Sequence, residues 1–314
     1  MYSPPAPPNA GNAQYSPEYL SEYSGDKVIL VSAVFIALES IFVPLRFYAR
    51  TLTTSARGWD DIIILAAWLA NIGMCILGIV TVHVTDTGRH QAAVQNDPEK
   101  VLSMAKCIYA LKWLYLTSVA LPKISILVLY LRIFTNQVAR SSGYVLIGIV
   151  AVNWAVFILI APFECSSIAT HWKGRIGDGC LNVSKEVSTP NIVTDIVMLV
   201  LPVPTVLRLN ASYVRKLGLM VVFLAGSVGL IASCIRLVTW LKPTAFADLT
   251  WGSVSLFNSS ILEGGMYLIA VCLLTLRPIF AQLSQRWPRI SNFSGSEDNG
   301  SLSLQRLTSA PTPV

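Results

Sequence analysis

The chain has 314 residues, of which 54% are hydrophobic and 13% are charged, and its mean hydropathy is +0.59. A soluble domain carries about a quarter charged residues, so this composition excludes an ordinary soluble protein and indicates a membrane protein. Lys and Arg outnumber Asp and Glu by 23 to 17, but these charges lie between apolar runs. They therefore do not predict a nucleic-acid partner.

The two ends of the chain are polar. Residues 1–27 are rich in Pro, Tyr and Ser and lack the basic stretch followed by an apolar stretch that marks a signal peptide. Residues 286–314 are rich in Ser and Thr and show no periodicity. Because neither segment can bury enough apolar surface to fold, we expect a disordered extracellular tail and a disordered cytoplasmic tail.

Between these tails lie apolar segments that are long enough to cross a bilayer core of about 30 Å. They are 28–48, 61–83, 111–133, 143–163, 191–209, 216–240 and 254–276. The fifth is short and contains Pro202 and Pro204, which spanning helices tolerate. The runs are continuous rather than alternating, which excludes a β-barrel. The sequence predicts an all-α, seven-transmembrane helix bundle over 28–285, with 98–110 continuing the third helix out of the membrane.

The basic residues predict how the bundle is oriented. Twelve lie near the first, third and fifth connections and in the C-terminal tail: Arg46, Arg50, Arg57, Arg132, Arg140, Arg208, Arg215, Lys216, Arg277, Arg286, Arg289 and Arg306. Seven are spread over the longer opposite segments: Lys27, Arg89, Lys100, Lys173, Arg175, Lys185 and Lys242. Since cytoplasmic loops carry the excess of Lys and Arg, we expect the N-terminus outside and the C-terminus in the cytoplasm.

The loop between the fourth and fifth spans should then face an oxidising compartment. Cys165 and Cys180 flank it, which predicts a disulfide, with two free thiols as the alternative. Asn182 begins an Asn-Val-Ser sequence in the same loop and is a predicted glycosylation acceptor.

Two adjacent acids, Asp60 and Asp61, open the second span in the sequence RGWDD. Acids are favoured at a helix N-terminus, where Asp60 can cap free backbone N–H groups, and Arg46, Arg50 and Arg57 are near enough to form ion pairs. A switch or a contact with a cytoplasmic partner is the alternative. A catalytic acid pair is not expected, because we place these residues on a rim open to water.

Several short motifs resemble one known family. They are RFYAR at 46–50, GWDD at 58–61, LKWLY at 111–115, LPKISILVLYLRIF at 121–134, Cys180 with Asn182, Asn191 with Asp195, LPVPTVLRL at 201–209, ASCIRL at 232–237 and LLTLRPIF at 273–280. In this order and spacing the chain resembles the fungal rhodopsin-domain integral membrane proteins. The resemblance implies a seven-helix bundle, and a family that includes surface-sensing receptors treated as G-protein-coupled and members encoded in secondary-metabolite gene clusters.

The resemblance does not imply light sensing. A retinal pigment needs a lysine in its last helix, and 254–276 contains none. Arg132 ends the third span, where a receptor would meet a G protein, but a basic residue there also satisfies the positive-inside rule.

Ionisable side chains inside the predicted spans are the candidate functional residues, because such groups are costly in a bilayer and must pair or line a cavity. They are Glu39, Lys123, Asp195, Arg236 and Glu263, with Asn191 one turn before Asp195. We predict that Asp195 pairs with Arg236 and that Lys123 meets Glu39 or Glu263, around an outward-opening cavity.

Aromatic residues such as Trp113, at the outer end of the third span, would form the wall of this cavity or belong to the interfacial aromatic belt. The charged pairs would line a ligand pocket or would only hold the helices together.

Two functions fit these features best, and transport comes third because the sequence shows no inverted repeat of the kind that many transporters have. The first is receptor-like sensing of an extracellular or lipophilic ligand, associated with a secondary-metabolite cluster and acting through a heterotrimeric G protein. The alternative is a cofactor-free cyclase or isomerase of secondary metabolism, with Glu263, Asp195 or Glu39 as the general acid. No cofactor, metal or nucleic-acid partner is predicted, and the expected location is the plasma membrane or an endomembrane.

Overall fold

The structure is a computed structural model that describes seven stretches of the chain: 16–52, 59–94, 97–133, 137–163, 183–202, 213–241 and 248–276. Cys165, Cys180, Asn182 and the predicted C-terminal tail lie outside these described residues, as do residues 1–15.

The described residues form nine α-helices and no strand. They are α1 (Pro17–Ser21), α2 (Asp26–Leu52), α3 (Trp59–Thr85), α4 (Gln91–Val94), α5 (Pro98–Ile133), α6 (Gln137–Ile160), α7 (Val183–Val200), α8 (Tyr213–Leu241) and α9 (Leu249–Thr275). A short 3₁₀ turn, Ala161–Phe163, extends α6. The first to seventh predicted spans correspond to α2, α3, α5, α6, α7, α8 and α9.

Six of these helices are long and apolar enough to cross a membrane: α2, α3, α5, α6, α8 and α9. The fifth predicted span is shorter. Its apolar helical part, Ser188–Val200, is followed by a turn at Leu201 and Pro202, because proline fixes φ and cannot donate to a helix. The described residues therefore contain six candidate spans and one shorter apolar helix, and seven crossings remain a prediction.

The third helix is much longer than the bilayer requires. α5 runs unbroken through 36 residues, or about 54 Å at the usual helical rise. Pro98 begins it, a position where the missing N–H has no helical partner. The predicted extension 98–110 is confirmed.

α9 lies at the centre of the bundle. It packs against α2, α3, α5 and α8, and 78% of its most apolar stretch is buried, compared with 17% for α6. α7 packs against α8. Because α9 touches so many neighbours, its polar side chains are placed to join the other helices.

The end of the expected N-terminal tail is ordered. α1 falls within 1–27, Ser24 N–H donates to the carbonyl of Gly88 (2.9 Å), and His90 stacks between Tyr19 and Trp251. The aromatic rings and the Gly88 backbone give this segment a surface on which to fold. The expectation of disorder is corrected for residues 16–25.

Candidate functional site

Four of the predicted intramembrane charges come together between α5, α7, α8 and α9. Lys123 forms an ion pair with Asp195, and Arg236 Nη1 lies 2.7 Å from Glu263 Oε2. All four side chains are buried, with 4% or less of their surface exposed. Two cations and two anions make the group neutral overall, which is the arrangement that low-dielectric surroundings require.

Asn191 joins the two ion pairs. Its Oδ1 accepts a hydrogen bond from Lys123 Nζ (2.6 Å), and its Nδ2 donates to Glu263 Oε1 (2.5 Å). The amide thus serves a cation with its acceptor and an anion with its donor. We call the four charges, Asn191 and the tyrosines described next the interhelical polar network.

Two tyrosines complete this network. Tyr115 OH donates to Glu263 (3.1 Å), and the Arg236 guanidinium lies 3.9 Å from the centre of the Tyr115 ring. Tyr267 OH donates to Asp195 Oδ1 (2.7 Å). These groups satisfy charges that the ion pairs alone would leave incompletely bonded.

The predicted pairing was wrong. Asp195 contacts Lys123 rather than Arg236, and Arg236 contacts Glu263, so the partners are exchanged. Neighbouring helices α8 and α9 turn Arg236 and Glu263 toward each other. Sequence position indicates how deep a side chain lies in a span, but not which neighbouring helix it faces.

Glu39 lies apart from the network. It is fully buried, and its Oε1 accepts a hydrogen bond from Asn71 Nδ2 of α3. No described Lys or Arg forms an ion pair with it, so the predicted contact with Lys123 is not made.

A small crevice borders the network between α5, α6 and α7. It offers about 20 Å³ to the centres of water-sized molecules, enough for one or two waters. Its polar lining consists of Tyr115, Lys123, Asn153, Trp154, Asn191 and Thr194. The predicted outward-opening cavity remains a prediction, and loop 164–182 lies outside the described residues.

A second charged cluster lies at the predicted cytoplasmic end. Arg46 Nη2 is 2.8 Å from Asp60 Oδ2, Arg50 pairs with both Asp60 and Asp61, and Ser125 Oγ donates to Asp60 Oδ1 (2.6 Å). The predicted ion pairs of Arg46 and Arg50 are confirmed, and Arg57 lies outside the described residues. Among the described residues, the Asp60 carboxylate accepts hydrogen bonds from side chains. The sequence instead suggested that it would accept them from backbone N–H groups at the start of the helix.

This cluster is not an open rim. Arg46 is fully buried and Asp60 is 4% exposed, because Arg46 Nη1 also donates to the α9 carbonyl of Val271 (3.0 Å) and to Thr275 Oγ1 (3.1 Å). The expectation of a water-open site is corrected. The cluster joins α2, α3, α5 and α9.

Two other candidates lie outside both clusters. Arg132 is exposed near the end of α5. Trp113 is half-buried and meets Tyr109 edge-on, with ring centres 6.3 Å apart; it does not line the crevice.

Sequence reasoning missed the roles of Asn71, Ser125 and Tyr267. Tyr267 lies one helical turn after Glu263 and therefore shares its face, which is a signal that could have identified it. Asn71 and Ser125 carry no such local signal, since their partners are on other helices. No group of three or more His, Cys, Asp or Glu side chains that could hold a metal occurs in the part of the chain described.

Both clusters draw most of their residues from the part of the chain that matches the profile of a known family. The profile of the fungal rhodopsin domain matches residues 45–282. The chain belongs to the fungal rhodopsin domain family. It is a multi-pass membrane protein of this family.

Two similar proteins are described as members of biosynthetic clusters. The chain is 34% identical over 281 residues to the "Polyenoic acids biosynthesis gene cluster protein Ba17b" of Metarhizium anisopliae, covering 83% of this chain and 76% of that protein. It is 23% identical over 274 residues to the "Wortmanamides biosynthesis cluster protein C" of Talaromyces wortmannii, covering 83% and 72%.

A third relative is described by family. The "SAT4 family membrane protein" of Emericella nidulans is 32% identical over 171 residues, covering 52% of this chain and 44% of that protein. No solved structure matches the chain.

Proposed function

We propose that this fungal rhodopsin domain protein is a receptor-like sensor of a lipophilic ligand, serving a secondary-metabolite pathway. The observation that carries the proposal is the interhelical polar network, in which Asn191 bridges two ion pairs from four helices. The two ion pairs share Asn191 and their helices, so a ligand that breaks one pair would also disturb the other and would favour a second arrangement of the helices.

The relatives support the class of ligand. Two of them are named for biosynthetic clusters, and one of these names refers to polyenoic acids. A polyenoic acid combines a long apolar chain, suited to the bilayer, with a carboxylate that would compete with Asp195 or Glu263 for their cations.

Retinal is not the proposed ligand. Helix α9 contains no lysine from Leu249 to Thr275, so it offers no amine for a Schiff base.

The enzyme alternative has weaker support from the geometry. Asp195 and Glu263 are each held by a cation, whereas a general acid must have a proton to give. Glu39, the third candidate acid, is packed against α3 and α9.

A heterotrimeric G protein is the proposed partner at the predicted cytoplasmic end. The buried cluster around Asp60 shares α5 and α9 with the interhelical polar network. A change in the network could therefore reach that end through two continuous helices.

Ligand binding can be measured with purified full-length protein in detergent and a long-chain polyenoic fatty acid. We expect the acid to raise the melting temperature and its methyl ester to raise it much less, because the ester carries no charge for Lys123 or Arg236. Arg236→Met should lose the response, while Lys100→Met, which removes a cation from a half-exposed surface pair, should keep it.

The same mixture separates the two functions. A receptor leaves the fatty acid unchanged, as mass spectrometry would show. A new product that Glu263→Gln abolishes would contradict the receptor proposal and support the enzyme.

A further inference from the structure

Glu39 and Asn71 form a buried group of oxygen atoms that lacks a cation. Both side chains are fully buried, and neither Glu39 Oε2 nor Asn71 Oδ1 has a hydrogen-bond partner among the described residues. Each lies near the middle of a long helix, α2 or α3, far along the helix from the segments that the structure leaves out. The left-out residues that adjoin the ends of α2 and α3 are therefore too distant to be the missing hydrogen-bond partners.

Two glycines of α9 shape the space around these oxygens. A Cβ on Gly264 would lie 2.8 Å from Asn71 Oδ1 and 2.9 Å from Ser118 Oγ. A Cβ on Gly265 would lie 3.0 Å from Glu39 Oε1, but only 2.2 Å from Cδ1 of Phe35, whose ring packs against this glycine. Oxygens of α3 and α5 thus lie beside Gly264, and the Glu39 carboxylate of α2 lies beside the next residue, Gly265. Ser118 donates its proton to the carbonyl of Tyr115 (3.1 Å), which leaves its lone pairs for another group.

We propose that this group of oxygens binds a small monovalent cation. The unpartnered atoms are oxygens with free lone pairs. A cation can bind such lone pairs, whereas another hydrogen-bond acceptor cannot. Glu39 supplies one negative charge, so a monovalent ion makes the site neutral. A divalent ion would leave a positive charge uncompensated in the bilayer. Hard oxygen ligands suit such an ion.

This site differs from the sequence-based expectation that no metal is bound. It is separate from the interhelical polar network and does not rest on the proposed receptor function. It involves α2, α3, α5 and α9, and Gly264 directly follows Glu263, so the occupied site would stabilise the centre of the bundle.

Sodium is the probe for the test. Full-length protein in detergent is melted in NaCl and in choline chloride at equal ionic strength, with tryptophan fluorescence as the readout. Since a ligand that binds only the folded state stabilises it, we expect sodium to raise the melting temperature by roughly 2–5 °C. Glu39→Gln should abolish this shift, while the control Glu99→Gln, at an exposed position in the first turn of α5, should keep it.

A second measurement covers the case in which Glu39→Gln does not fold. Sodium NMR of the wild-type protein should show a broadened resonance that narrows in Ser118→Ala, which removes one oxygen and no charge. Equal melting temperatures in the two salts, or a sodium shift that survives in Glu39→Gln, would overturn the proposal. A wild-type protein that responds to pH but not to sodium would show that Glu39 holds a proton instead.

Discussion

Asn191 connects the two buried ion pairs. Its amide lies between Lys123 and Glu263 and bonds to both. Removing one member of a buried pair leaves an uncompensated charge, which costs about 3–5 kcal/mol. Replacing one partner of an ion pair should therefore cost more stability than expected from its contacts alone. Replacing both partners should cost less than the sum of the two single replacements.

A double-mutant cycle measures this pairing. Lys123→Met and Asp195→Asn should each lower the free energy of unfolding by about 3 kcal/mol. The double variant should lose less than the sum, with a coupling of roughly 1–3 kcal/mol. Unfolding by SDS in mixed micelles gives these values.

The surface pair Lys100–Asp86, with side chains 39% and 41% exposed, is the control and should couple by less than about 1 kcal/mol. Strong coupling of Asp195 to Arg236, with none to Lys123, would restore the pairing predicted from the sequence.

The identities of the buried charges were predictable, but their partners were not. Charged residues in apolar runs are visible in the sequence, and all five are buried in the structure. The exchange of partners depends on the rotation of α5, α7, α8 and α9 about their axes. That rotation is set by packing across helices, which one sequence does not encode in any local pattern.

At the scale of helices, small residues decide how closely α8 approaches α9. A Cβ on Gly229 would lie 2.9 Å from Cζ of Tyr267, and Tyr267 holds Asp195 through its hydroxyl. The absence of a side chain at Gly229 therefore gives the tyrosine room to reach the network, as small residues do between membrane helices.

Gly229→Ala should lower the free energy of unfolding by about 1–3 kcal/mol, because the ring must move away from Asp195. Gly148→Ala is the matched control: a Cβ there would have no neighbour within 4 Å, so the change should stay within about 0.5 kcal/mol. Both are measured by SDS unfolding. Equal losses in the two variants would contradict the proposed role of Gly229.

The lengths of the apolar runs predicted the positions of most helices well. Two segments were predicted wrongly. Six long runs became helices and the extension of α5 was continuous, because hydrocarbon leaves backbone groups no other partners. The fifth helix stops at Val200, before its predicted end. Residues 16–25 are too polar to predict as folded, and their order comes from distant partners such as Gly88 and Trp251.

For the whole molecule, the distribution of charge supports the proposed orientation. Arg46 and Arg50 were counted among loop residues, but both are bound to Asp60, so fewer free cations mark this end than the sequence indicated. The Arg residues of the C-terminal tail still give the predicted cytoplasmic end an excess of basic residues. A reporter fused to the C-terminus should be active only in the cytoplasm; activity on the other side would reverse the orientation.

The proposal that a ligand acts through the interhelical polar network is tested most directly by a distance at the predicted cytoplasmic end. Spin labels at Leu52→Cys and Met220→Cys, both exposed positions on α2 and α8, are introduced after the accessible native cysteines are replaced by serine. The polyenoic fatty acid should change the inter-label distance by about 2 Å or more, and Arg236→Met should abolish the change. An unchanged distance, under conditions in which the melting temperature shows that the acid is bound, would contradict a receptor.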